Sequence, residues 1–260
     1  MDILQDWEHK LIGNLNDKQK KAVRAILGEN LVIAGAGSGK TAVLTRRCVY
    51  LICLGVTPGT ILSLTFTNKA AAEMSKRIKE ILAEIGINLP NVPPWKDDYL
   101  SAPLFCTFHS LGVRILREFG TNIGIKKEFT ILDKEDHLKL IRSIMKELNL
   151  DQKQILPSLV SHFIGQCKQE LLVPEDSKNL SKEFLPIFHT IYKRYQNRLM
   201  ENQSVDFDDL IVLPYLVLHK NPQVLEICRN RWKHIQIDEF QDTNNAQFAT
   251  VKLLYPPNKV

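Results

Sequence analysis

Ala34-Gly35-Ala36-Gly37-Ser38-Gly39-Lys40-Thr41 is the stretch whose reading decides the fold. The short apolar run Leu31-Val32-Ile33-Ala34 leads into it and predicts a buried parallel strand, and a helical pattern from Lys40 through Leu54 follows. A strand, a glycine-rich loop and a helix in that order are the setting in which a loop cradles phosphates. Gly35, Gly37 and Gly39 open backbone conformations closed to residues with a Cβ, and they keep side chains away from the anion. Loop amides and the helix N-terminus then face the phosphates. Lys40 is placed to reach the outer phosphates, and Thr41 to bind a magnesium ion. A plain glycine-rich strand-to-helix turn would leave Lys40-Thr41 without a purpose.

The pattern extends outward from this loop. Leu15 to Leu27 has helical spacing with Asn16 as N-cap. Ile61-Leu62-Ser63-Leu64-Thr65-Phe66 predicts a second strand, and Asn68 is placed to cap a helix from Lys69 to Ile85. Residues 86–103 hold Pro90, Pro93, Pro94, Trp95 and Pro103 and predict an exposed loop. Leu104-Phe105-Cys106-Thr107 predicts a third strand, with a helix from roughly Ser110. From 114 to 204 the pattern is wholly helical, with boundaries near Asp133, Asp151 and Pro186. Lys233 to Asp238 predicts a strand carrying carboxylates at its C-terminal end, and Asn244 to Leu254 a final helix. The alternation argues for a doubly wound parallel α/β sheet domain, residues 1–113 and 205–260, with an inserted all-helical subdomain at 114–204.

Bulk properties exclude several classes. Apolar residues make up 44% and charged residues 24%, ordinary for a globular protein, and the net charge of +5 is too mild to argue for nucleic acid by itself. Five cysteines are scattered without a C-x-x-C pair, which disfavours a disulfide framework or zinc site and favours a reducing compartment. Asp2, Asp6 and Glu8 at the N-terminus do not fit a signal peptide. The longest apolar run, Leu210 to Leu218, contains Pro214 and is too short to span a bilayer. A soluble cytoplasmic protein is expected.

Ile237-Asp238-Glu239 supplies the second half of a nucleotide site, about two hundred positions after the loop. Asp238 at a strand end can hold magnesium opposite Thr41, while Glu239 can polarise an attacking water. An acidic pair on the surface is the common alternative, and the apolar Ile235 and Ile237 weigh against it.

The tract Ile237-Asp238-Glu239-Phe240-Gln241-Asp242-Thr243-Asn244 resembles the D-E-x-Q-D motif II of superfamily 1 DNA helicases of the UvrD, PcrA and Rep type. Leu15-Asn16-Asp17-Lys18-Gln19 is similar to their Q motif, and Ala34–Thr41 to their phosphate loop, including the initial alanine. Thr65-Phe66-Thr67-Asn68-Lys69-Ala70-Ala71 resembles motif Ia, Thr107-Phe108-His109-Ser110 motif Ib, and Asp206-Phe207-Asp208-Asp209-Leu210 a further block. These stretches run in family order from residue 15 to 247.

The resemblance implies a RecA-like phosphate-loop domain that binds ATP and Mg2+. Gln19 would recognise adenine. Ala36, Gly37, Ser38, Gly39, Lys40 and Thr41 would hold the triphosphate, with Thr41 and Asp238 on the metal. Glu239 would be the catalytic base, and Gln241 would sense the nucleotide state. Phe66, Thr67, Asn68, Thr107 and His109 would line a path for single-stranded DNA, an aromatic stacking on bases while hydroxyls and amides hold phosphates. No role is read for Asp208-Asp209 beyond a possible helix cap. Ala42 stands where the family often has arginine, and Phe240 where it often has tyrosine.

The chain stops before the family's motif III and second motor domain. The expectation is therefore the N-terminal part of an ATP-dependent helicase moving 3′ to 5′ on single-stranded DNA and at duplex junctions, in repair or replication, and nucleoid-associated if bacterial. The piece alone is expected to bind ATP and DNA weakly, with little activity. Rival readings are a helicase–nuclease subunit and a short non-enzymatic binding module. A small-molecule kinase explains neither Thr65–Ala71 nor Thr107–Ser110.

Overall fold

The computed structural model describes residues 3–35, 37–87, 101–174 and 186–255, with backbone alone for 3–5. Ala36 and nearly all of the proline-rich stretch expected as a loop lie outside the described residues. The chain divides into two compact units, one of residues 1–107, 226–241 and 254–260, the other of 108–225 and 242–253.

The first unit is an α/β layer. Its parallel sheet has the order β2 (Leu104–Thr107), β1 (Ile61–Thr65), β5 (His234–Ile237). β1 is buried at all five positions, as a central parallel strand covered on both faces must be. Its register sets Thr65 beside Thr107 and Leu64 beside Ile237, so the C-terminal ends of all three strands meet at one edge. Helices α1 (Ile3–Ile12), α2 (Asp17–Arg24), α3 (Lys40–Cys53) and α4 (Asn68–Glu84) build a core around Leu11, Val23, Val49, Ile61, Ile78 and Leu82.

Three expectations are corrected in this unit. Leu31-Val32-Ile33 is not a strand: it joins no ladder, and Leu31 and Ile33 are 71% and 89% exposed. β5 is the edge of the ladder, and a three-residue run followed by glycines has little to hold it there with a partner on one side only. The cap of α4 is Thr67, whose Oγ1 accepts from the Ala70 amide at 3.1 Å, and Asn68 is the first helical residue. α2 does begin after Asn16, in a reciprocal capping box with Gln19, but it ends at Arg24. The Arg47 guanidinium donates to the Ala25 carbonyl at that end.

The second unit is mainly helical. α6 (Lys134–Glu147), α7 (Pro157–Gln169) and α8 (Pro186–Glu201) enclose Ile141, Phe163, Ile164, Phe188, Ile191 and Tyr195. Asp133 caps α6 by accepting from the Glu135 and Asp136 amides. One feature departs from the all-helical expectation: β3 (Thr130–Ile131) and β4 (Ser204–Val205) form a two-residue parallel ladder, too short for alternation to register in the sequence. α5 (Phe108–Phe119) starts directly after β2, and α9 (Asp209–Lys220) packs tightly on it; α11 (Asn245–Leu254) falls in this unit except for its last residue, and of α10 (Pro222–Arg231) only residues 222–225 do. Gly112 makes the α5–α9 contact possible, since a Cβ there would lie 1.7 Å from the Leu210 carbonyl oxygen. Among the described residues no helix is long and apolar enough to cross a membrane.

Candidate functional site

The glycine-rich loop sits before α3 with Gly37 and Gly39 in left-handed conformations, φ 71° and 85°. Only glycine adopts these cheaply. A Cβ on Gly39 would also meet Gln19 Nε2 at 3.0 Å, so the loop is a cradle that a larger residue would fill. Gln19 Nε2 donates to the Ser38 carbonyl at 3.0 Å while its Oε1 accepts from the Asn16 amide at 3.0 Å. The side chain thus ties α2 to the loop. Ser38 Oγ donates to the Gly35 carbonyl at 2.6 Å. Lys40 Nζ donates to the carbonyls of Ala34 and Gly35 at 3.2 and 3.4 Å, so it curls over its own loop, where these oxygens stand in for phosphate oxygens. Thr41 lies in the first turn of α3, its carbonyl accepting from Thr45 Oγ1 at 3.0 Å.

Asp238 and Glu239 follow the C-terminal end of β5. The Asp238 amide donates to the Leu64 carbonyl at 2.9 Å, which extends the ladder by one bond, and the side chain is only 9% exposed as a residue. Burial and the Glu239 carboxylate push the Asp238 carboxyl above the usual aspartate value, and the Lys40 ammonium pulls the other way. Glu239 has a left-handed backbone, φ 50°, a conformation that costs a non-glycine residue roughly 1–2 kcal/mol. Its amide donates to Asp238 Oδ1 at 3.1 Å, and its Oε2 accepts from Gln241 Nε2 at 2.6 Å. The turn holds Asp238 in and swings Glu239 aside.

This donor set fits Mg2+. The ion uses few protein ligands, commonly one or two carboxylates with substrate phosphates supplying the rest. Among the described residues no cluster of three or more His, Cys, Asp or Glu forms an all-protein cage. A hydroxyl on α3 and a buried carboxylate at the strand end fit that minimal arrangement.

The residues expected on DNA fall in both units. Phe66 follows β1 and is 38% exposed, Thr67 caps α4, and Asn68 opens it. Thr107 is buried at the end of β2, in register with Thr65, whose Oγ1 donates to the Thr67 carbonyl at 3.0 Å. In the helical unit, His109 in the first turn of α5 stacks on Phe207, ring centroids 3.8 Å apart and 23° from parallel. Burial lowers the His109 pKa, favouring the neutral imidazole. Phe207 is 59% exposed although Asp206 and Asp209 beside it are buried. Sequence alone assigns Phe207 no role. Its only signal was an aromatic set among three aspartates, a poor place for a core residue.

The family model for the UvrD/REP helicase N-terminal domain matches residues 15–260. The chain is 41% identical over 246 residues to the ATP-dependent DNA helicase PcrA of Staphylococcus epidermidis, covering 94% of this chain and 32% of that protein. It is 42% identical over 248 residues to the protein of the same name from Bacillus subtilis, covering 95% and 32%. The Staphylococcus aureus counterpart is 38% identical over 246 residues. The chain spans about a third of the length of these curated relatives.

Proposed function

The chain belongs to the UvrD/REP helicase family, in its N-terminal domain, and from that premise we propose that it forms the ATP-binding motor part of an ATP-dependent DNA helicase. The observation that carries the reading is the form of the phosphate loop, with Gly37 and Gly39 left-handed ahead of α3 and Lys40 folded over the loop carbonyls, in the same unit as the buried Asp238 at the C-terminal end of β5. A triphosphate cradle and a strand-end carboxylate able to hold a metal are what phosphoryl transfer to water requires.

In this reading Lys40 exchanges its loop carbonyls for the outer phosphates. The loop amides and the N-terminus of α3 take the remaining negative charge. Thr41 and Asp238 hold Mg2+, which when bound neutralises charge on the phosphate oxygens. Glu239, steadied by Gln241, orients the attacking water and accepts its proton. Because Gln241 contacts Glu239 directly, a shift of the catalytic carboxylate passes to the segment leading into α11. Gln19 holds the loop in place through Ser38 and offers its amide edge to adenine once that bond is exchanged.

Phe66, Thr67, Asn68, Thr107 and His109, with Phe207 added, are the proposed contacts to single-stranded DNA. Exposed rings stack on bases without reading sequence, which suits a translocating enzyme. Movement 3′ to 5′, action at duplex junctions in repair or replication, and a second motor domain closing over the nucleotide rest on the family likeness. Gly37 and Ser38 are exposed, which supports a pocket completed by a further wall, and an isolated site of this kind is expected to hydrolyse slowly.

The test is ATP binding by titration calorimetry in the presence of Mg2+, for the parent and Lys40→Ala. Loss of the charge-assisted contact should weaken binding by about tenfold or more. Equal affinity for both proteins would overturn the assignment of the loop.

A further inference from the structure

The helical unit contains a buried ionic cluster that ATP chemistry does not use. Lys168 on α7 is 1% exposed. Its ammonium lies 2.6 Å from Asp206 Oδ2 and 2.7 Å from Asp209 Oδ1, both aspartates being equally buried. Asp206 Oδ2 also accepts from the Tyr195 hydroxyl at 2.8 Å. The remaining oxygens close a reciprocal box: Asp206 Oδ1 accepts from the Asp209 amide at 2.8 Å, and Asp209 Oδ2 from the Asp206 amide at 3.2 Å. His137 sits behind, with Nδ1 2.6 Å from the Tyr195 hydroxyl and Nε2 2.8 Å from Ser161 Oγ. Because the Tyr195 hydroxyl gives its proton to Asp206, the chain runs Ser161 to His137 to Tyr195 to Asp206.

Stability alone is a weak reason for such a cluster, since a well-packed apolar group of similar volume often serves as well or better. The geometry supplies another reason. All four carboxylate oxygens of Asp206 and Asp209 are engaged, so both ends of the Asp206–Asp209 turn are fixed. Phe207 lies between them and is held outward, its ring backed by His109.

We propose that Lys168 is a positioning residue for nucleic-acid binding: by clamping Asp206 and Asp209 it holds the Phe207 ring, stacked on His109, as a platform for an unpaired base. This rests on the single-strand reading given above. The ligand is single-stranded and sequence-tolerant, because an exposed ring face offers stacking to every base and hydrogen-bond readout to none.

The test is a double-mutant cycle read by fluorescence anisotropy with labelled oligothymidylate at fixed salt. Phe207→Ala should weaken binding about tenfold, in the range of one lost stacking contact. Lys168→Met should weaken it several-fold while leaving ATP affinity unchanged, and Lys168→Met combined with Phe207→Ala should be no weaker than Phe207→Ala alone. Multiplying losses would overturn the proposal, because a general structural role does not act through one ring. So would a folded Lys168→Met protein of parental affinity. If Lys168→Met does not fold, Tyr195→Phe keeps the ion pair, removes one hydroxyl and should show a smaller loss that disappears in the Phe207→Ala background. Absence of any oligothymidylate binding by the parent would instead remove the single-strand reading. The clamp is then read without a ligand, from acrylamide quenching of the Phe207→Trp indole, taken as the difference from the matched protein that carries only the native Trp7, Trp95 and Trp232. Quenching should rise when Lys168→Met is added, and an unchanged value would refute the clamp.

Discussion

Two helical glycines in the same unit should respond to alanine with opposite signs. At Gly112 a Cβ would stand 1.7 Å from the Leu210 oxygen, 2.9 Å from its carbonyl carbon and 3.2 Å from Pro214 Cγ. A carbon–oxygen contact settles at roughly 3.3 Å, so α5 and α9 must part by about 1.5 Å. The obstacle is backbone and cannot rotate aside, which puts the overpacking cost near the upper end of the usual range, about 3 kcal/mol. Helix propensity returns about 1 kcal/mol, for a net loss of about 2 kcal/mol. At Gly165 on α7 the nearest atom to an added Cβ is Asp208 Oδ2 at 3.5 Å, an ordinary contact. Only the propensity term of up to about 1 kcal/mol remains, and it stabilises. Urea unfolding followed by far-ultraviolet circular dichroism reads both. With a slope of about 2 kcal/mol per molar, Gly112→Ala should lower the midpoint by about 1 M and Gly165→Ala should raise it slightly. The His109–Phe207 stack joins α5 to the turn that leads into α9, so Gly112→Ala should also weaken oligothymidylate binding. A Gly112→Ala protein as stable as the parent, or shifts of the same sign in both variants, would refute this account of the α5–α9 contact.

Two further expectations concern titration. Burial alone would lower the Lys168 pKa, but Asp206 and Asp209 outweigh it and hold the ammonium above its ordinary 10.5. A raised lysine contributes stability that is complete below its unfolded value and is lost as pH rises towards the folded one. Burial raises the Tyr195 and Tyr192 phenols, which adds the same sign. Melting temperature should therefore hold to about pH 10 and then fall, with a shallower fall in Lys168→Met; parallel curves would show that the ammonium is not the titrating group. Asp238 should titrate above the ordinary aspartate value of 3.8, because burial and Glu239 both favour its protonated form. In Glu239→Gln its midpoint, followed by carbon-detected NMR of the carboxyl, should move down; no movement would mean that the two carboxyls do not interact.

What was legible in the sequence is what local chemistry decides. The loop glycines, Lys40-Thr41, the strand at Ile61–Thr65 and the Asn16 cap each follow from residues within a few positions of one another. The choice of Thr67 over Asn68 as cap did not, since both residue types cap well and only the backbone, extended at Thr67, separates them. Leu31–Ile33 departs from the expected strand because a strand is defined by its partners, and a short apolar run carries no information about them. Lys168 was invisible for the same reason. In Gln166-Cys167-Lys168-Gln169-Glu170 it reads as a solvated helix lysine, and the carboxylates that bury it stand 38 and 41 positions further on.

The nucleotide and stacking surfaces nevertheless use one local device that the sequence does display. In Asp238-Glu239 the aspartate turns inward and its Oδ1 takes a backbone amide from the turn that follows, while the next residue turns away and carries the chemistry. Asp206-Phe207 repeats this, with Asp206 Oδ1 taking the Asp209 amide and Phe207 facing out. An aspartate at the end of a strand can satisfy itself on nearby backbone, so its neighbour is free of any packing duty. In the proposed reading the neighbour's type then sets the function: a carboxylate after the end of β5 can direct water, and an aromatic ring backed by His109 can stack on a base. For this reason the two halves of each dipeptide should fail differently. Asp206→Asn keeps the backbone bonds but weakens the ion pair, and should cost unit stability along with binding. Phe207→Ala should cost oligothymidylate affinity while leaving the melting temperature within a degree or two, and a large drop in melting temperature for Phe207→Ala would mean that the ring is packing after all.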